Sequence, residues 1–173
     1  MTDSDRYAEA IASLAVRHGF RLGVAESLTA GKIATRLGAA PDASEWFRGG
    51  VVAYASAVKF DLLGVPPGPV VTADCARQMA AGAAKVLGAD ATVAVTGVGG
   101  PDPEEGLPPG TVYVATWTRG VHGCCERLDL DGDPTEILAR TTETALHLLF
   151  EAIRDATVTK AELGTSASPA AAS

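Results

Sequence analysis

Three short stretches of this 173-residue chain carry side chains in combinations that suit chemistry. Residues 25–32 (AESLTAGK) set a hydroxyl, Ser27, where an apolar segment gives way to a helical pattern. A helix start leaves main-chain N–H groups without partners. Such donors can hold an oxyanion or a phosphate, and Ala30 and Gly31 are small enough to let a ligand reach them. Residues 54–59 (YASAVK) place Tyr54 at a strand end and Lys59 a little over one helical turn later. A serine nucleophile needs a base. A lysine whose ammonium is disfavoured by burial, or a tyrosine beside such a lysine, can act as one. Residues 96–101 (TGVGGP) follow an apolar strand, where a glycine-rich loop lets main-chain amides touch a ligand at the carboxyl edge of a sheet.

Each stretch alone has an ordinary reading as well. Ser27 or Thr29 can simply cap a helix. Lys59 can be a surface lysine with Tyr54 on the rim of the core. The glycine loop can be a plain turn: it lacks both the GxGxxG spacing and the Lys-Ser/Thr pair of a P-loop. Asp102, Glu104 and Glu105 read as a solvated loop rather than a metal cage. The cysteines, Cys75, Cys124 and Cys125, are odd in number and two are adjacent, so they form no disulfide framework. His18, His122 and His147 have no metal-ligand spacing. No metal and no cofactor is expected.

The elements that would position these groups alternate. Tyr7, Ala10, Ile11 and Leu14 mark a first helix over about residues 5–17. A strand follows at 20–25, then a helix with Ala30, Ile33, Ala34 and Leu37 on one face. A strand at 50–54 leads into a short helix at 56–63. Thr72 is placed to cap a third long helix whose buried face holds Cys75, Met79, Ala83 and Val86. A strand at 89–96 feeds the glycine loop. Strands at 111–118 and 122–130 form a hairpin about Arg119-Gly120. A last helix spans about 133–156. Residues 157–173 lack periodicity and read as a disordered tail, leaving one domain over 1–156. The alternation predicts an α/β fold: three layers, α/β/α, around a mixed, mostly parallel sheet.

Composition narrows the class. Hydrophobic residues make up 47% and charged residues 20%, a globular composition rather than a disordered one. No apolar run reaches the length of a membrane span, and the acidic N-terminus has no signal-peptide core. A net charge of −7 argues against a nucleic-acid-binding surface. The expectation is a cytoplasmic protein with a small-molecule partner and neither nucleic acid nor membrane.

Taken in order, AESLTAGKIATRL, FRGGVVAYASAVKFDLLGV and VAVTGVGGPDPEEGLPPGTVYVA resemble the CinA C-terminal domain family over about residues 5–152. Its stand-alone members are PncC-type nicotinamide-nucleotide amidohydrolases. The resemblance implies hydrolysis of the carboxamide of nicotinamide mononucleotide to nicotinate mononucleotide and ammonia, without metal, in pyridine-nucleotide salvage. Ser27 would be the nucleophile, with Tyr54 and Lys59 moving protons. Thr29, Ala30 and Gly31 would supply N–H groups to the oxyanion. Thr96, Gly97, Gly99 and Gly100 would line the nucleotide pocket. A homo-oligomer is implied too. The sequence departs from the family pattern in the last helix. Where GDR-x-x-VR is common, this chain has GDPTEIL at 132–138, with Pro134 and Leu138 at the basic positions and Arg140 two residues on. Two rival readings follow: the same centre acting on a different small amide, or a degenerate domain kept for oligomerisation or regulation.

Overall fold

A computed structural model of the chain describes residues 1–121 and 123–165. The elements run α1 (Asp3–His18), β1 (Leu22–Glu26), α2 (Lys32–Gly38), α3 (Ala43–Trp46), β2 (Phe47–Val52), α4 (Ser56–Asp61), α5 (Ala73–Leu87), β3 (Ala91–Gly97), β4 (Thr111–Thr118), β5 (Cys125–Asp129) and α6 (Pro134–Thr165). The five strands form one sheet in the order β2-β1-β3-β4-β5. β1 pairs in parallel with both β2 and β3, while β4 pairs antiparallel with β3 and β5. Four strands therefore point the same way, with β4 reversed. The predicted α/β class and mixed, mostly parallel sheet are both found.

The two faces of the sheet are built differently. Leu22, Val24, Val93 and Val95 pack with Ile11, Leu146, Leu149 and Ile153, so α1 and α6 cover one face through large side chains. The alternate residues Ala25 and Ala94 lie with Met79, Ala80 and Ala83 under α5. Period-two alternation sorts bulky residues to one side and small ones to the other. The small side brings α5 close: Thr92 Oγ1 donates to Ala80 O at 2.7 Å. A Cβ on Gly82 would come within 2.0 Å of Leu63 O.

Caps fix the helix ends. Thr2 and Asp5 form a capping box on α1, and Thr72 Oγ1 accepts from Cys75 N at the start of α5, as predicted. Gly19 and Gly88 close these helices in the left-handed conformation. The hairpin turn sits at Arg119-Gly120, closed by Val121 N–H to Thr118 O at 3.2 Å. His122, the expected first residue of the next strand, lies outside the described residues, and β5 begins at Cys125.

Three expectations are corrected. β2 starts at Phe47, three residues before the predicted Gly50. Gly50 belongs inside it because a Cβ there would stand 2.7 Å from Val24 Cγ2 and 3.3 Å from Ala34 Cβ. Val86, assigned to the buried face of α5, is 46% exposed; Ala76, Ala80 and Ala84 share that face instead. The last helix continues to Thr165, nine residues beyond the predicted end at Ala156. Residues 166–173 of the expected tail lie outside the described residues.

Candidate active site

The topology gathers three chain segments at one edge. β1, β2 and β3 are parallel neighbours, so their carboxyl ends lie side by side with β1 between the other two. That is where an open α/β sheet presents a crevice. Ser27 follows β1 directly, Ala53 and Tyr54 follow β2, and the glycine loop follows β3.

Lys59 reaches this edge from α4. Its side chain is 1% exposed. Its Nζ lies 3.0 Å from Ser27 Oγ, 2.8 Å from Ala53 O and 3.3 Å from Tyr54 O. Burial pushes the lysine below its ordinary value; nearby Cys75, Glu104 and Glu105 oppose that shift. As an ammonium, Lys59 has three N–H donors for Ser27 Oγ and the two carbonyls. The neutral form that burial favours would keep two N–H groups for the carbonyls and turn its lone pair to the Ser27 hydroxyl.

Glu26 is the residue that sequence reasoning passed over. It is fully buried at the end of β1. Its carboxylate accepts from Thr29 Oγ1 at 2.6 Å, Gly31 N at 3.0 Å, Ile33 N at 3.2 Å and Ala34 N at 2.8 Å. Glu26, not Ser27 or Thr29, therefore caps α2, whose own N-cap Gly31 offers no side chain. The main chain of Glu26 also accepts from Ala53 N at 2.7 Å, tying β1 to the carbonyl that holds Lys59. The signal was available: a carboxylate ending an otherwise apolar strand must find donors or leave the core.

The capping arrangement corrects the expected oxyanion donors. Ala30 N donates to Ser27 O at 3.1 Å and Gly31 N to Glu26, so neither is open to a ligand. Ala30 and Gly31 both take left-handed conformations, turning the chain sharply between β1 and α2. Thr29 is fully buried against Glu26.

Above Ser27 lies a cavity of about 190 Å³ whose walls include Leu28, Tyr54, Gly97, Gly99 and Gly100. Three of the expected glycine-loop residues thus reach the site. Thr96 does not: it is buried, and its Oγ1 donates to Val70 O at 2.7 Å. Gly97 has no space for a side chain, since a Cβ would lie 2.6 Å from Thr111 O. Glu105 anchors the loop by accepting from Val70 N at 2.8 Å and Val71 N at 2.9 Å. Tyr54 stands at the mouth, 70% exposed. It touches Lys59 through its carbonyl rather than its phenol. The structure therefore joins Ser27 to Lys59 and leaves the Tyr54 side chain on the rim.

The sequence model of the CinA C-terminal domain matches residues 4–153. This chain belongs to that family. It is 40% identical over 139 residues to a competence-damage inducible protein of Geobacillus kaustophilus, a match covering 77% of this chain and 33% of that protein. It is 39% identical over 165 residues to a CinA-like protein of Mycolicibacterium paratuberculosis, covering 89% of this chain and 37% of the relative. The chain thus spans roughly a third of the length of these curated relatives. Among solved structures, the competence/damage inducible protein CihA of Agrobacterium tumefaciens superposes with a TM-score of 0.84 at 32% identity, covering 89% of this chain and 97% of that one. A CinA superfamily protein of Escherichia coli gives 0.82 at 31% identity, covering 88% and 93%. Both likenesses span nearly the whole CinA-like fold described above.

Proposed function

We propose that this CinA-family domain is a serine amidohydrolase, with Ser27 as nucleophile and Lys59 as the group that moves its proton. The observation that carries this reading is the buried 3.0 Å contact between Lys59 Nζ and Ser27 Oγ at the carboxyl edge of the sheet, opening on a cavity. Neutral Lys59 takes the hydroxyl proton as Oγ attacks the carboxamide carbon. The resulting ammonium protonates the leaving nitrogen, the C–N bond breaks, ammonia departs and an ester to Ser27 remains. Water then attacks the ester carbon, giving its proton to Lys59. As the C–Oγ bond breaks, Lys59 returns that proton to Oγ, leaving the carboxylic acid product. With Ala30 and Gly31 engaged elsewhere, the oxyanion is met by the main chain that lines the cavity, at Leu28 or the glycine loop.

Family likeness supports nicotinamide mononucleotide as substrate and a role in pyridine-nucleotide salvage. No helix among the described residues is long and apolar enough to cross a membrane. The test is ammonia release from that substrate by purified protein, beside the Ser27→Ala variant. We expect Ser27→Ala to lose at least about a thousandfold in kcat, in the range seen when a nucleophile is removed. Its melting temperature should stay within a few degrees of wild type. A Ser27→Ala protein with wild-type turnover would remove Ser27 from the mechanism. One observation favours a second reading of the substrate alone: among the described residues, those lining the cavity above Ser27 include Asp102 and Glu104 and no lysine or arginine.

A further inference from the structure

We propose that this pocket selects carboxamides whose body is cationic and carries no phosphate. The inference rests on the amidohydrolase reading and goes further, to the charge class of the substrate. Two acidic residues, Asp102 and Glu104, both exposed, line the cavity over Ser27. Across from the glycine loop the wall is apolar, made by Pro134 and Leu138 at the start of α6. Leu138 Cδ2 would stand 3.7 Å from a Cβ on Gly99, so the leucine faces the loop directly.

No lysine or arginine lines this cavity among the described residues. Lys59 is close but buried, with Nζ turned to Ser27 and two carbonyls. Arg140, the next basic residue along α6, directs a guanidinium nitrogen to Asp131 O at 3.4 Å. A phosphate held in this cavity would find no lysine or arginine among its lining residues to donate a charge-assisted hydrogen bond. It would also approach two carboxylates on a protein of net charge −7. A pyridinium ring bearing the carboxamide reverses both terms: its positive charge is attracted by Asp102 and Glu104, and its flat face suits the glycine and leucine walls.

The experiment compares nicotinamide riboside, nicotinamide mononucleotide and nicotinamide, which differ in ring charge and phosphate. Binding is measured by calorimetry on the Ser27→Ala variant, and kcat/KM by ammonia release on wild type. The riboside should bind at least about tenfold tighter than the mononucleotide, a difference of about 1.4 kcal/mol, with kcat/KM in the same order. Nicotinamide, without the ring charge, should bind more weakly than the riboside. In Leu138→Arg, at a partly exposed position that can hold a long side chain, the mononucleotide should gain about tenfold over the riboside. Equal or tighter binding of the mononucleotide to Ser27→Ala, or no measurable binding of the riboside, overturns the inference. Turnover of the mononucleotide in preference to the riboside overturns it too, while leaving the hydrolase standing. If wild type releases ammonia from none of the three, the amidohydrolase reading falls, and the calorimetric order still decides the charge selection.

Discussion

The floor and the rim of the cavity over Ser27 contrast in burial, charge and bonding. On the floor, Glu26 and Lys59 are buried, Ser27 is only 8% exposed, and each is held by hydrogen bonds to the ends of β1, β2 and α2. On the rim, Tyr54, Asp102 and Glu104 are exposed, and the opposite wall is set by side chains from the start of α6. The floor is fixed largely through main-chain carbonyls and amides, so its geometry depends on the sheet more than on any one neighbouring side chain. The rim is fixed by side chains on a loop and a helix end. Substitutions there can change what enters while leaving the serine–lysine contact untouched. A Ser27–Lys59 contact kept beside an apolar wall of Pro134 and Leu138 is what that division permits.

The sharpest way to break this contrast is through Lys59. Lys59→Ala should lower kcat by about 10²–10⁴, the range of a general base, measured by ammonia release. The wild-type pH profile gives the same test without a mutation. Burial holds the lysine below its ordinary 10.5, and the proposed mechanism needs it neutral. kcat/KM should therefore rise with pH through that lowered value, and the limb should vanish in Lys59→Ala. Stability carries the same sign. Between the lowered folded value and the unfolded one, the unfolded chain binds more protons, so stability increases with pH across that window. Below it the full penalty for burying the ammonium is present. A flat rate profile in wild type across the window would mean that Lys59 is not the base and that the floor is structural only.

Glu26 tests whether the floor acts as one piece. Removing its carboxylate leaves the Thr29 hydroxyl and the amides of Gly31, Ile33 and Ala34 without their acceptor. Glu26→Ala should therefore cost about 2–4 kcal/mol of stability by urea unfolding, from unsatisfied donors and a lost cap. Glu26→Gln keeps one acceptor oxygen and should cost less. If Glu26 positions Ser27 and Lys59 together, kcat in Glu26→Gln should fall while KM stays near wild type. Unchanged kcat in a destabilised protein would confine Glu26 to capping.

What was legible in the sequence follows the same division. The alternating elements, the Thr72 cap, the hairpin turn and β4 at Thr111–Thr118 could be read locally, because each depends on neighbours a few residues away. Ser27 and Lys59 could be named from residue type and placement, but their contact could not, being made across 32 positions of chain. The role of Glu26 was hidden because its partners lie three to eight residues on, in a turn whose left-handed Ala30 no pattern announces. Thr96 was assigned to the pocket because it adjoins the glycine loop. Strand alternation instead turns it toward Val70. The extension of α6 past Ala156 was missed because apolar periodicity stops there, and Val158, the next apolar residue, is exposed rather than part of a buried stripe.

Tyr54 gives the smallest expected effect and sits on the boundary between the two regions. Family resemblance implies that it moves a proton, which would make it part of the floor. In the structure, its carbonyl accepts from Lys59 at 3.3 Å, a contact any residue would make, while its ring is 70% exposed. Among the described residues its phenol makes no hydrogen bond with Ser27 or Lys59. Tyr54→Phe should then change kcat by less than about threefold, since no interaction specific to the transition state is lost. Tyr54→Ala should raise KM more than it lowers kcat, because the ring forms part of the cavity mouth. A hundredfold loss of kcat in Tyr54→Phe would show that the phenol swings inward when substrate binds. The rim would then contribute to the chemistry, and the boundary drawn between floor and rim would have to move outward past Tyr54.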